Sequence, residues 1–205
     1  MLFRYDREAT LDTDRWRGPT ALISIDALSG LEHIGGDLHL GGAPQIEDPE
    51  LSSLVSIGGS LWATHSFPAQ VRFPALEQVS DVLLAGESWS AFDFPALRET
   101  TGVALFGTEI PSLSTLHDVG LASRLALDGN AQLTTIPFDT LPPIDSFTLR
   151  NSPLIEEVDL TQVVPRTANI EWNERVDTLR GDGIETMQSL RSVSTRSFQD
   201  RKSVV

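Results

Sequence analysis

His33, Asp37 and His39 are the residues of this sequence best spaced for metal chemistry. Asp37 and His39 are two positions apart, which places both on one face of an extended strand, and His33 precedes them at a turn. Two imidazoles and a carboxylate are zinc ligands, but the sequence offers no fourth donor beside them. The three are therefore expected to be solvated rim residues, with no metal and no other cofactor. Acid–base chemistry would draw on Glu47-Asp48-Glu50 or Glu156-Glu157-Asp159, because neighbouring carboxylates can divide the roles of general acid and base. Both clusters fall in stretches that read as turns, where charge is ordinarily solvated surface. No Gly-x-Ser-x-Gly, no Gly-x-x-x-x-Gly-Lys-Ser/Thr and no His-Glu-x-x-His occurs. Arg180-Gly181-Asp182 matches a cell-adhesion tripeptide and reads most simply as the turn that ends the repeats. Catalysis needs convergent polar groups, and their trace here is thin, so the chain is expected not to be an enzyme.

The elements that would position these residues come from a repeat. Ile34-Gly-Gly-Asp-Leu-His-Leu40 aligns with Ile57-Gly-Gly-Ser-Leu-Trp-Ala63 at an offset of 23. The apolar-x-apolar pair Leu38/Leu40 recurs as Leu61/Ala63, Val82/Leu84, Val103/Leu105, Leu125/Leu127, Phe147/Leu149 and Ile170/Trp172. The steps are 23, 21, 21, 22, 22 and 23 residues, each pair having the period of a strand. A second ladder pairs Leu28 with Leu31, Leu51 with Leu54, Phe73 with Leu76, and Phe94 with Leu97. It continues through Leu113/Leu116, Phe138/Leu141 and Leu160/Val163, and a further position three residues on is apolar at most coils but Arg166 at the last. Proline inside Phe73-Pro-Ala-Leu76 and Phe94-Pro-Ala-Leu97 argues against helix there. The glycine pairs 35–36, 41–42 and 58–59 sit at repeat turns, where a positive φ is the usual requirement. Each coil reads as strand, turn, extended return and turn, and the whole as an all-β, right-handed parallel β-solenoid of about seven coils.

Leu-x-Leu strands followed by Gly-Asn-Ala-Gln-Leu (129–133) or Arg-Asn-Ser-Pro-Leu (150–154), then Leu-x-x-Ile/Val, resemble the receptor L domain. That family is a leucine-rich-repeat relative folded as a flattened β-helix, and the resemblance covers roughly residues 20–173. It implies binding to another protein. The solenoid is expected over residues 20–181, with an N-terminal cap at 1–19 and a C-terminal cap and basic tail at 182–205. Ile184, Met187, Leu190 and Val193 have helical spacing and predict a short capping helix.

Pleating turns alternate strand residues outward, which converts the ladder into a list of surface columns. The central column reads His39, Trp62, Leu83, Ala104, Ala126, Thr148 and Glu171. One flank carries Ala85, Phe106, Asp128 and Arg150 and ends at Asn173; the other carries Asp37, Asp81 and Arg124 and ends at Asn169. Trp62, Leu83, Ala85, Ala104, Phe106 and Ala126 thus form an apolar patch rimmed by Asp37, Asp81, Arg124, Asp128 and Arg150. An aromatic centre inside a charged rim is the anatomy of a protein interface. Trp89, in the longer turn Glu87-Ser-Trp-Ser90, would extend the patch or plug its coil.

Composition narrows the class. The 205 residues are 40% apolar and 21% charged, an ordinary folded mix of single-domain size. Fifteen basic residues against 29 acidic leave −14, the wrong sign for gripping a phosphate backbone and compatible with a basic protein partner. Four of the basic residues fall in Arg191–Val205, leaving 11 basic and 28 acidic residues before them. There is no cysteine, no N-x-Ser/Thr sequon, no signal-peptide pattern and no membrane-length apolar run, which together predict a cytoplasmic protein away from membranes. The expected role is an adaptor, inhibitor or immunity-type module, with self-association through the sheet or the solenoid ends as a further possibility. The rivals are a β-helical protein that binds or processes polysaccharide and a structural subunit.

Overall fold

The computed structural model describes residues 28–41, 51–64, 70–86, 91–113, 116, 119–141, 143–163, 165–181 and 189–193. The expected N-terminal cap, Glu47-Asp48-Glu50, Trp89, Asp182 and the tail after Val193 lie outside them. In chain order the strands are β1 (His33–Ile34), β2 (Leu38–Gly41), β3 (Ser56–Thr64), β4 (Gln70–Arg72), β5 (Gln78–Ala85), β6 (Ala91–Asp93) and β7 (Glu99–Phe106). They continue as β8 (Gly120–Asp128), β9 (Ser146–Arg150), β10 (Glu157–Asp159), β11 (Thr167–Glu171), β12 (Thr178–Arg180) and β13 (Ser189–Val193).

The apolar alternation builds one nine-stranded sheet in the order β1-β3-β5-β7-β8-β9-β11-β13, with β2 also on β3. Every pairing in it is parallel and joins one coil to the next, as a β-solenoid requires. The returns pair more briefly, as β4 with β6, β10 with β12, and an isolated bridge from Ser112 to Thr135. About five closed turns lie between β3 and β11, fewer than the seven coils expected from the ladder. A ladder bounds fewer complete turns than it has rungs, and the end strands β1, β2 and β13 add sheet edges beyond those turns.

The inward column runs through Leu38/Leu40, Leu61/Ala63, Val82/Leu84, Val103/Leu105, Leu125/Leu127 and Phe147/Leu149, all buried. Its last members are Ala168 and Ile170, which pair with Phe147 and Leu149. This corrects the expected pair Ile170/Trp172 by two residues: small Ala168 holds the inward place, and Trp172 lies just past the strand, 57% exposed. The second ladder is buried from Leu51 to Val163, while Leu28 and Leu31 pack on the core partly exposed. Every ladder pair but Phe138/Leu141, where Leu141 N donates to Pro137 O, closes a tight turn, as where Leu76 N donates to Phe73 O at 3.2 Å and Leu97 N to Phe94 O at 3.1 Å. Proline at the second position of such a turn already has the φ it needs. Phe73 and Phe94 stack across coils with centroids 5.4 Å apart. At the last coil Arg166 is exposed and Pro165 is buried.

The corner after each long strand is also repeated. Gly86, Gly107, Gly129, Asn151 and Trp172 all have positive φ, at 129°, 62°, 71°, 47° and 59°. The amides of the first four donate to Phe106 O, Asp128 O, Arg150 O and Glu171 O of the following coil. The next residue turns inward, and there Thr108, Asn130, Ser152 and Asn173 are buried polar side chains. Asn130 Oδ1 accepts from Thr108 N at 3.1 Å and from its hydroxyl at 2.7 Å, while Nδ2 donates to Leu105 O. Asn173 likewise accepts from Ser152 N at 3.0 Å and donates to Leu149 O at 2.9 Å. Beyond this clasp, Ile110, Leu133, Ile155 and Val176 form a third buried apolar column.

Two expectations are corrected by backbone geometry. Gly35-Gly36, Gly58-Gly59 and Gly41 do not have positive φ. A β-carbon on Gly58 would instead lie 2.5 Å from Gly35 O, so the first two pairs serve close approach of coils. The helix expected from Ile184 onward is, over its second half, strand β13, paired with β11 through Ala168–Leu190 and Ile170–Ser192; residues 182–188 lie outside the description. The unpaired edge of β11 offers backbone partners that a helix leaves unused. Among the described residues no helix is long and apolar enough to cross a membrane.

Leu105→Asp buries an unpaired carboxylate in a middle coil and is expected to abolish the β-type circular dichroism and the compact elution volume. Retention of both would contradict this core. Asn130→Ala is expected to lower stability by about 2–4 kcal/mol in urea unfolding, because it strands the Thr108 amide and the Leu105 carbonyl.

Candidate functional site

The outward columns follow the same register. The central one is His39, Trp62, Leu83, Ala104, Ala126, Thr148 and Asn169. One flank is Thr64, Ala85, Phe106, Asp128, Arg150 and Glu171, and the other is Ser60, Asp81, Gly102, Arg124, Ser146 and Thr167. The expected ends Glu171, Asn173 and Asn169 therefore each move by two residues, and Asn173 is buried in the corner clasp instead.

The structure brings the apolar residues together at the upper half of this face. Trp62 is 40% and Phe106 37% exposed. Leu83 lies beside Trp62 and Ala85 beside Phe106 on adjacent strands, and both are half-buried, as is Ala126. Ala104 is a correction: it is buried, a short side chain between taller rows, and offers little contact surface. His39 stacks on Trp62 with centroids 5.5 Å apart and planes 10° from parallel, fixing the orientation of the indole.

The charges around the patch are paired within the chain. Arg124 Nη2 reaches Asp81 Oδ1 at 3.0 Å, two strands away across Gly102. A β-carbon at Gly102 would stand 2.6 Å from that carboxylate oxygen, so glycine is what opens the path of this ion pair. Arg150 Nε lies 3.2 Å from Glu171 Oε2, whose side chain is buried. With its amide oriented to satisfy both neighbours, Asn169 donates to Glu171 Oε1 at 3.0 Å and accepts from Arg150 Nε at 3.3 Å. Asp128 accepts from Asn151 Nδ2 at 2.8 Å. Arg150 thus has a structural partner as well as a place on the rim.

The metal candidates have other engagements. His33 Nδ1 bonds Ser56 Oγ at 2.9 Å, Asp37 Oδ1 accepts from Ser60 N at 2.7 Å, and His39 Nε2 stands 3.8 Å from Asp37 Oδ2. Among the described residues no three His, Asp or Glu side chains are grouped to hold a metal ion. Glu156, Glu157 and Asp159 line an open depression of about 730 Å³ on the return side, with Thr134, Asp139 and Arg175. Glu157 is paired with Arg180 at 3.1 Å, and Asp159 caps Thr161 through its amide and hydroxyl.

Trp172, expected to point inward, instead stands exposed at the corner after β11, while Asn169 keeps its place on the face one column over. A signal for Trp172 exists: Gly86, Gly107, Gly129 and Asn151 each follow a strand, and 21 residues beyond Asn151 stands Trp172. No family model, curated protein or solved structure matches the chain.

Because both rings point away from the core, Trp62→Ala and Phe106→Ala are each expected to change unfolding free energy by less than about 1 kcal/mol. Urea titration checks this; a loss of several kcal/mol from either would mean that the ring supports the fold.

Proposed function

We propose that this protein is a non-enzymatic protein-protein interaction module of the leucine-rich-repeat-like, receptor L domain type, which docks a cytoplasmic protein partner on the outward face of its long sheet. The observation that carries the reading is the pair Trp62 and Phe106, exposed on a face whose backbone is held by parallel pairing on both sides. Rigid aromatic anchors yield contact area at low entropic cost, since two side-chain torsions place a large surface. Leu83 and Ala85 continue that surface between the two rings. Asp81–Arg124 and Asp128–Asn151 border it with polar groups that already have partners, so a docked apolar surface need not strand them. The net charge of −14 favours a basic partner through long-range attraction.

The test is capture of the native partner by the chain and by a folded Trp62→Ala/Phe106→Ala variant. Loss of about 30-fold or more in affinity is expected, corresponding to about 2 kcal/mol for a central anchor. Arg124→Ala frees the Asp81 carboxylate and is expected to speed association with a basic partner and to steepen its salt dependence, with a smaller effect on dissociation. Undiminished capture by the double variant would remove the assigned face.

A further inference from the structure

Trp172 occupies a backbone position suited to a much smaller residue. In the column Gly86, Gly107, Gly129, Asn151, Trp172 every member has positive φ, which glycine adopts freely and asparagine tolerates. For a bulky ring the same conformation is strained. Burial would ordinarily offset that strain, yet Trp172 is 57% exposed, the most exposed large apolar residue among those described. Strain that adds little to the core points to a contact outside the chain.

The groups around the ring indicate what that contact is. Glu171, just before it, is held by Arg150, and Asn151, one coil earlier in the same column, gives its amide to Asp128. Glu171 and Asn151 are thus each engaged with another side chain, and the large accessible feature is the ring. Glu174, Arg175 and Asp177 follow on the exposed surface, a stretch with one more acid than base in a chain of net charge −14. An exposed indole in a negative field is a receptor for a cation over its face.

We propose that Trp172 anchors a cationic segment of the partner, one that presents an arginine or lysine side chain. This rests on the partner-binding reading and extends the docking surface from Trp62 on β3 to the corner after β11. Those strands are five spacings apart in the sheet order, about 24 Å, which about seven residues of extended chain would span.

The probe is an N-acetylated hexapeptide alternating glycine and arginine, with its glutamate counterpart and cellohexaose alongside. The full chain carries labelled indole nitrogens, and the Trp172 signal is the one missing from Trp172→Asn. The arginine peptide is expected to shift that signal and to bind Trp172→Asn at least tenfold more weakly, while the glutamate peptide leaves it unmoved. The melting temperature of Trp172→Asn is expected to equal or exceed that of the parent, as asparagine already occupies this conformation at residue 151. Trp172→Gly is expected to behave alike in binding. Unchanged peptide affinity in both variants overturns the proposal, as does a melting temperature lowered by several degrees in Trp172→Asn. A cellohexaose shift without a peptide shift overturns the cationic assignment in favour of a glycan. The Trp62→Ala/Phe106→Ala variant is expected to keep the peptide response at Trp172, so failure of the central face and failure at the corner give different results.

Discussion

A coil of 21 to 23 residues can stack on its neighbour only if every strand ends at the same level and turns the same way. That requirement is met at one corner. A left-handed residue reverses the chain direction, its amide reaches the following coil, and the next side chain turns inward to bind backbone that the bend has left without a ladder partner. The inner corner is buried, and buried backbone groups require hydrogen-bond partners. Asn130 and Asn173 supply it across alternate coils, each bonding the corner of the coil before it. The buried columns, the parallel register and the outward face all depend on this corner staying in line.

The parts of this design that recur at short range are legible in the sequence. Leu38 to Phe147 can be placed by eye because the inward pairs recur every 21 to 23 residues, even where Trp62 and Leu83 make the outward position apolar too, and the second ladder repeats Phe-Pro-Ala-Leu almost unchanged. The last rung is harder to read, since Ala168 is a weak apolar signal and Trp172 a strong one, although the corner reverses their roles. The strand β13 is harder still. Leu190 and Val193 stand three apart, a helical interval, and only the open edge of β11 decides between the two states. The apolar part of the face follows from the alternation once the register is known. Its ion pairs do not, because Asp81 and Arg124 meet over two coils and 43 residues.

Charge on the face is arranged to be neutral locally while the chain as a whole is acidic. Arg124 and Arg150 each meet a carboxylate within the sheet, so the strong potential arises from acids elsewhere on the surface. Attraction at long range and contact at short range are thereby assigned to different residues. The long-range part is screened beyond a distance of about 8–10 Å at ordinary salt, whereas the aromatic contacts are not.

Stacking by identical parallel steps also makes the sheet a ruler. Each coil advances the chain by one strand spacing, about 4.8 Å, and every residue of a column keeps its lateral place. Gain or loss of one whole repeat, with its corner and its buried columns, would shift Trp172 relative to Trp62 by that increment and leave the chemistry at each end untouched. The separation of two features on such a face therefore comes in whole strand spacings, and a change in the reach of the surface needs a change in the number of rungs.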